Sequence, residues 1–283
     1  MPVSAAIVLA GGRSSRMGSS KAALAWHGST LLRRVTGLVA REVDGPVLVV
    51  CAPGQALPEL DPAVEIVTDA RQGRGPMQGL AAGLRALSGR AQVAYVSATD
   101  VPLLHPAFVR RVLQAFSDDL DVVLPRIDGH RQTLAAAYRV GLADLVEDLV
   151  AAERLKPAFL FERCRVLDLE EAEVRADPSL LRADPRLDSV RGLNDPADYG
   201  RALTLPAPEI TILRADALAP GPGDARATLS AWSIGEAASA LGLALDGGVV
   251  ATVNGGRVRR DPQVPLAAGD VVRFAAVGEA RRS

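Results

Sequence analysis

Residues 5 to 24 read AAIVLAGGRSSRMGSSKAAL, and they carry the densest chemistry in the chain. An apolar run, Ala5 to Ala10, stops at Gly11 and Gly12. A polar loop follows with Arg13, Arg16, Gly18 and Lys21, and then a helix-forming pattern resumes. A buried strand that runs into glycines lets backbone N–H groups approach a phosphate with no Cβ in the way. Arg16 and Lys21 add the positive charge that a triphosphate needs. The loop is not a Walker A motif, because Ala22 rather than Ser or Thr follows Lys21. Nor is it G-x-G-x-x-G. The second chemical residue is Asp100, in VAYVSATDVPLL. A carboxylate straight after a buried strand and before a Val-Pro turn is placed to hold Mg2+, a hard cation taken by one or two carboxylates plus substrate phosphates. Capping of the next turn is the plainer role for such an Asp. Asp69, in EIVTD, also terminates an apolar run.

Positioning these residues requires strands that end together. PVLVVCA (46–52), EIVTD (65–69), QVAYVSATD (92–100) and DVVLPRI (121–127) read as short continuous apolar strands. Such runs suit strands covered on both faces, hence a mostly parallel sheet. Amphipathic stretches lie between them at 29–43, 75–87 and 105–116. The βαβα order predicts an α/β, Rossmann-like doubly wound sheet, whose ligands bind at the carboxyl ends of the strands. Gly11 and Gly12, Asp69 and Asp100 all fall at such ends.

The pattern changes near residue 204. TLPAPE (204–209) holds two prolines and reads as a linker. The expected domains are therefore 1–205 and 209–283. In the second, EITILRA reads as a strand, 233–243 as a short helix, 249–258 as a hairpin and 270–277 as a last strand, giving a small α+β domain.

Composition sets the outer limits. The chain has 283 residues, 48% of them hydrophobic, enough for a full core. A net charge of −1 argues against a nucleic-acid binder that works by bulk electrostatics. No apolar run has the length of a membrane span, and the start lacks the features of a signal peptide. Cys51 and Cys164 sit far apart with no metal-ligand spacing. The expectation is a protein of the reduced cytoplasm, with no nucleic-acid or membrane partner.

The glycine-loop segment resembles the L-x-G-G-x-x-x-R-M-G-x-x-K signature of sugar-nucleotide-type nucleotidyltransferases. Its Leu9-Ala10-Gly11-Gly12 form resembles the molybdenum cofactor guanylyltransferases. Three further segments resemble the same family. VTDARQGRGPMQGLAAGL (67–84) is similar to D-x-x-x-x-x-G-P-L-x-G-L, IDGHRQTLAAAYR (127–139) to the acceptor-side G-x-x-x-P-L-x-A-x-Y, and RGLNDPADYGRAL (191–203) to the closing N-x-N-T-P-x-D-L. The resemblance implies that Leu9, Ala10, Gly11, Gly12, Arg16 and Lys21 bind a nucleotide, and that Arg16, Lys21 and Asp100 serve catalysis. It implies Mg2+ on Asp100, Asp69 at the base or ribose, and Gly79 in close packing by the nucleotide. On the acceptor side it implies Gln132 and Asn194, whereas His130 reads as a surface histidine. Thr99 and Gly192 depart from the family pattern, Gly192 standing where an Asn is often found. Asn194-Asp195-Pro196 also reads locally as a helix N-cap with Pro in the first turn.

The implied reaction is transfer of GMP from GTP to molybdenum-bearing molybdopterin. A CTP-using relative, a transferase with another phosphorylated acceptor and a non-catalytic nucleotide-binding adaptor are the other readings. The last 75 or so residues resemble the β-grasp fold of the molybdopterin-synthase small subunit and thiamine sulfur-carrier family. That family ends in Gly-Gly, whereas this chain ends VGEARRS, with Glu279 after Gly278. The expectation is a docking domain for molybdenum cofactor enzymes rather than a sulfur carrier.

Overall fold

A computed structural model describes residues 3–11, 20–69, 74–214, 225–245 and 248–277. The chain divides into two units, Met1–Trp26 with Thr30–Gly200, and His27–Ser29 with Arg201–Ser283. No helix among the described residues is long and apolar enough to cross a membrane.

The first apolar run becomes β1 (Ser4–Leu9), buried from Ala5 onward as a strand with both faces covered must be. Two short extended segments follow, β2 (Ala25–Trp26) and β3 (Ser29–Thr30). Then come α1 (Leu31–Val39), β4 (Val47–Cys51), β5 (Val64–Thr68), α2 (Pro76–Leu87) and β6 (Val93–Ala98). The middle of the unit holds α3 (Pro106–Gln114), β7 (Val122–Ile127), β8 (His130–Arg131), β9 (Ala135–Arg139) and α4 (Ala143–Ala151). It closes with α5 (Ala158–Phe161), β10 (Val166–Glu170), α6 (Glu171–Arg175), α7 (Pro178–Ala183) and α8 (Pro196–Leu203).

The strand order is β10-β7-β9-β6-β1-β4-β5, with β8 on β7. β1 runs parallel to β4 and β6, β4 to β5, and β7 to β10. β5 corrects the expectation of cover on both faces: it is an edge strand with Glu65, Ile66 and Thr68 exposed. The difference from the expected pattern is β9, antiparallel to both β6 and β7. Its residues AAAY are small and apolar and give no alternation to read. The chain reverses from β7 into β8 through Asp128 and Gly129, both left-handed (φ 51 and 75), the Asp-Gly pair that a two-residue hairpin favours. Because β9 opposes both its neighbours, β6 and β7 still point the same way. The carboxyl ends of β1, β4, β5, β6, β7 and β10 therefore share one edge.

Local chemistry sets the helix limits. Thr30 caps α1 by accepting from Arg33 N, and α1 stops at Val39, short of the expected 43. Arg41 and Glu42 then donate their amides to Leu38 O and Val39 O in a tighter turn. α2 begins with Pro76 behind Gly75, whose φ of 73 suits glycine. His105 caps α3, its Nδ1 accepting from Ala107 N at 3.1 Å. On one face of the sheet, Leu80, Leu84 and Leu87 of α2 and Val146 and Leu149 of α4 form one core with Ile7, Leu9, Leu48, Val50 and Val96.

The second unit has β11 (Glu209–Arg214), β12 (Ala225–Ser230), α9 (Ile234–Ala240), β13 (Val249–Val253) and β14 (Val271–Ala276). Their order is β12-β11-β14-β13, with a parallel β11–β14 pair at the centre and antiparallel pairs outside. Ile210, Ile212, Ile234, Ala237, Val272 and Phe274 make its core. Ser233 caps α9 by accepting from Glu236 N. Two features differ from expectation. β12 is an additional strand. The 249–258 hairpin reduces to one bridge, Ala251–Arg259, around left-handed Asn254 and Gly255. The sequence past that turn, Gly256-Arg257-Val258-Arg259-Arg260, offers too few apolar residues for a second buried strand.

Candidate active site

The site begins with how the ends of β1, β4 and β6 are tied together. Ala10 N donates to Val50 O at 2.8 Å. Gln55 bridges the same ends, accepting from Ala52 N at 3.1 Å and donating to Ala10 O at 2.9 Å. The buried Thr99 hydroxyl donates to Leu9 O at 2.8 Å. Thr99, a departure from the family pattern, thus fixes the exit of β1 beside the exit of β6. On the far side of Asp100, Arg34 Nε of α1 donates to Pro102 O at 2.5 Å from a buried position. Asp100 stands between two anchored main-chain segments.

Three residues distant in sequence meet there. Lys21 Nζ lies 2.5 Å from Asp100 Oδ2 and donates to Leu193 O at 2.7 Å. Leu193 N in turn donates to Asp100 O at 2.8 Å. The two charged side chains are 25% and 20% exposed, which leaves them reachable from solvent yet less screened than a surface pair. Leu193 itself is buried. Its role is invisible to a search for reactive side chains, because only its backbone takes part.

The other expected residues fall as follows. Leu9, Ala10 and Gly11 lead out of β1 at the carboxyl edge. Among the described residues a Cβ at Gly11 would meet Ala52 N, at 3.7 Å, an ordinary contact. Asp69 follows β5, its amide bonded to Cys51 O at 2.8 Å. It lies three strand positions from Asp100, roughly 14 Å at the usual spacing of about 4.8 Å. Gln132 enters β9 from the same edge on the opposite side, its Nε2 donating to His130 O at 3.1 Å. His130 is exposed, as expected. Asn194 is exposed and reaches Gly192 O at 3.3 Å, while Asp195 Oδ1 accepts from Asp198 N at 2.8 Å. The local N-cap reading therefore holds for Asp195 and Pro196. Gly79 is buried in α2, where a built Cβ would stand 3.1 Å from Leu9 Cδ2, a close approach of helix to strand. Gly12 and Arg16, with Arg13 and Gly18, lie outside the described residues.

A divalent cation fits Asp100 in one mode. Among the described residues no group of three or more His, Cys, Asp or Glu could enclose a metal. Asp100 Oδ2 already accepts a cationic group, and Oδ1 faces the bare Cα side of Gly192, where even an added Cβ would stand 3.8 Å away. A single carboxylate at the sheet edge matches the way Mg2+ is held jointly by protein and phosphates. The thiols do not belong to this chemistry: burial raises both, the Cys164 thiol to about 11.

A mostly parallel sheet with a lysine and a carboxylate at its carboxyl edge, where such folds bind ligands, defines the class: an α/β, Rossmann-like fold with a polar ligand edge. Comparison with known proteins narrows that class. The model of the MobA-like NTP transferase domain matches residues 6–166. A protein of Mycobacterium bovis (strain BCG / Pasteur 1173P2), named as a probable molybdenum cofactor guanylyltransferase, is 36% identical over 201 residues, 70% of this chain and 94% of its own. One of the same name from Mycobacterium avium (strain 104) is 42% identical over 151 residues, 52% of this chain and 75% of its own. The crystal structure of molybdopterin-guanine dinucleotide biosynthesis protein A from Archaeoglobus fulgidus shares the fold, with a TM-score of 0.57 at 23% identity over 70% of this chain and 96% of that one. The chain belongs to the MobA-like NTP transferase family.

Proposed function

We propose that the protein transfers GMP from GTP to molybdenum-bearing molybdopterin and releases pyrophosphate. A phosphate oxygen of the pterin attacks the α-phosphorus, and the bond from that phosphorus to the β-phosphate oxygen breaks. Positioning two polyanions and neutralising charge is most of the work such a reaction asks of a protein. The observation that carries this reading is the Lys21–Asp100–Leu193 cluster at the carboxyl edge. Backbone N–H groups at Gly11 and Gly12 meet the phosphates, with Leu9 and Ala10 shaping the approach. Arg16 and Lys21 hold phosphate oxygens, Lys21 stabilising the departing pyrophosphate. Asp69 contacts guanine or ribose, and Gln132 and Asn194 meet the acceptor. Asp100 would hold Mg2+, which supplies charge neutralisation between the nucleotide and the acceptor phosphate. The names of the 36–42% identical relatives support GTP as donor.

The second unit, taken as 209–283, is in this reading a β-grasp docking module for molybdenum cofactor enzymes. Its parallel central pair flanked by antiparallel strands, with one helix on the core side, supports that topology. We place the reaction in the cytoplasm. The test incubates the full chain with Mg2+, molybdenum-bearing molybdopterin and equal GTP, CTP and ATP, then identifies the pterin product by mass spectrometry. A guanine dinucleotide with matching pyrophosphate release is expected. A cytosine product transfers the assignment to a cytidylyltransferase. Nucleotide binding without pyrophosphate favours an adaptor.

A further inference from the structure

The two residues given separate tasks above are bonded to each other. Lys21 is to meet phosphate and Asp100 is to meet metal, yet the Lys21 ammonium lies 2.5 Å from Asp100 Oδ2. A divalent cation on either oxygen of this single carboxylate would stand close to the ammonium, and in a partly desolvated site the two repel. Lys21 has a second acceptor, Leu193 O at 2.7 Å, and Leu193 N is bonded to the Asp100 main chain at 2.8 Å. The carbonyl is therefore held fixed relative to the carboxylate. An ammonium with three donors can leave one acceptor and keep another.

Resting on the reading of Asp100 as a metal ligand, we infer that Lys21 fills the metal's place in the ligand-free protein. Leu193 is a positioning residue whose carbonyl retains the ammonium when a divalent cation displaces it from Asp100. Displacement turns Lys21 outward on its Leu193 tether, toward incoming phosphate. Metal and nucleotide then favour each other: the metal frees the ammonium for phosphate, and phosphate draws the ammonium off the carboxylate. By linkage each raises the affinity of the other by the same factor. Metal alone binds weakly because it must first expel the lysine.

The sequence offers a clean probe, since Lys21 and Lys156 are the only lysines. Lysine labelled with carbon-13 at the ε position gives two side-chain resonances in the full chain without nucleotide. Titration with Mg2+ alone is expected to shift the Lys21 resonance and leave Lys156 in place. Mn2+ alone, followed through the free-ion electron paramagnetic resonance signal, is expected to bind Lys21→Met at least about tenfold tighter than wild type. Asp100→Asn is expected to lose that binding. An unmoved Lys21 resonance, or Mn2+ affinity unchanged in Lys21→Met, overturns the inference while an Asp100→Asn loss keeps the metal site. Mn2+ binding that survives Asp100→Asn removes the metal site and the inference together.

Discussion

Helix α2 crosses β1 on two glycines, and the contacts there allow one substitution to be ranked against another. A Cβ built at Gly83 meets Ile7 Cδ1 and Cγ2 at 2.8 Å and Cγ1 at 3.0 Å. Ile7 is fully buried in a strand paired on both sides, and its branched side chain has little rotamer freedom. It cannot move aside, so Gly83→Ala carries the overpacking cost of about 1–3 kcal/mol. Replacing a helical glycine by alanine returns about 1 kcal/mol of helix propensity. The net expectation is a loss of about 1 kcal/mol. At Gly79 the first contact is Leu9 Cδ2 at 3.1 Å, the far end of a flexible side chain. There the propensity gain offsets the contact, and Gly79→Ala is neutral within about 0.5 kcal/mol. The assay is urea unfolding in a Trp232→Phe background, where Trp26, 1% exposed, is the sole tryptophan and reports on the first unit. Midpoints shift with unchanged slope if stability alone changes. In a double-mutant cycle, Ile7→Ala with Gly83→Ala should couple favourably by about 1 kcal/mol or more, because the new methyl enters vacated space. Gly83→Ala at least as stable as Gly79→Ala, or a cycle without coupling, would refute the close-approach argument.

The remaining predictions concern charge. Asp100→Ala should lower the proposed transfer by about 10²–10³, the usual loss of one strong electrostatic stabiliser, with the near-UV circular dichroism of the fold retained. Turnover within a few-fold of wild type removes Asp100 from the mechanism. Lys21→Ala should reduce kcat more than it raises the KM for nucleotide, because its charge matters most as pyrophosphate leaves; the reverse split makes it a uniform binding residue. Asp121 is held below the usual carboxylate range chiefly by hydrogen bonds from Arg165. A depressed carboxylate contributes stability above its unfolded pKa of about 3.9 and loses it as pH falls through the folded value. Asp121→Asn should therefore lower stability by about 1 kcal/mol at pH 7 and by progressively less below about pH 4, read as the Tm gap from wild type. A gap that stays constant into acid contradicts the ion-pair origin.

The fold was legible where burial leaves a simple trace. β4, β6 and β7 end within a residue or two of their apolar runs, because strands covered on both faces need continuous hydrophobicity; β5 ends as expected too, but as an exposed edge strand. β9 escaped for the opposite reason. Ala135, Ala136 and Ala137 carry neither branching nor alternation, and their strand identity comes from the neighbours that flank them on both sides. In the second unit, Asn254-Gly255 gave a correct turn, but the strand pairing went to β14, a partner no local pattern names. ARATLS does alternate, Ala225, Ala227 and Leu229 against Arg226, Thr228 and Ser230, but two of its three apolar residues are alanines, which carry little strand propensity, and β12 went unread.

The candidate site was legible in side chains and silent in main chain. Asp69 and Asp100 stood out as carboxylates straight after apolar runs, a position that turn capping also explains, and Lys21 as a basic residue of the glycine loop. What orders them is different in kind. Leu193 acts through its carbonyl and amide, Thr99 through one hydroxyl on Leu9 O, and Gln55 through an amide spanning Ala52 and Ala10. A leucine in the RGLNDP segment looks like core, and it is core. The same burial that hides it makes its backbone rigid, and a rigid carbonyl is what a mobile ammonium needs as a pivot. Leu193 therefore reaches the site without presenting a reactive side chain. Substitutions that shift Leu193 should disturb Lys21 and Asp100 together.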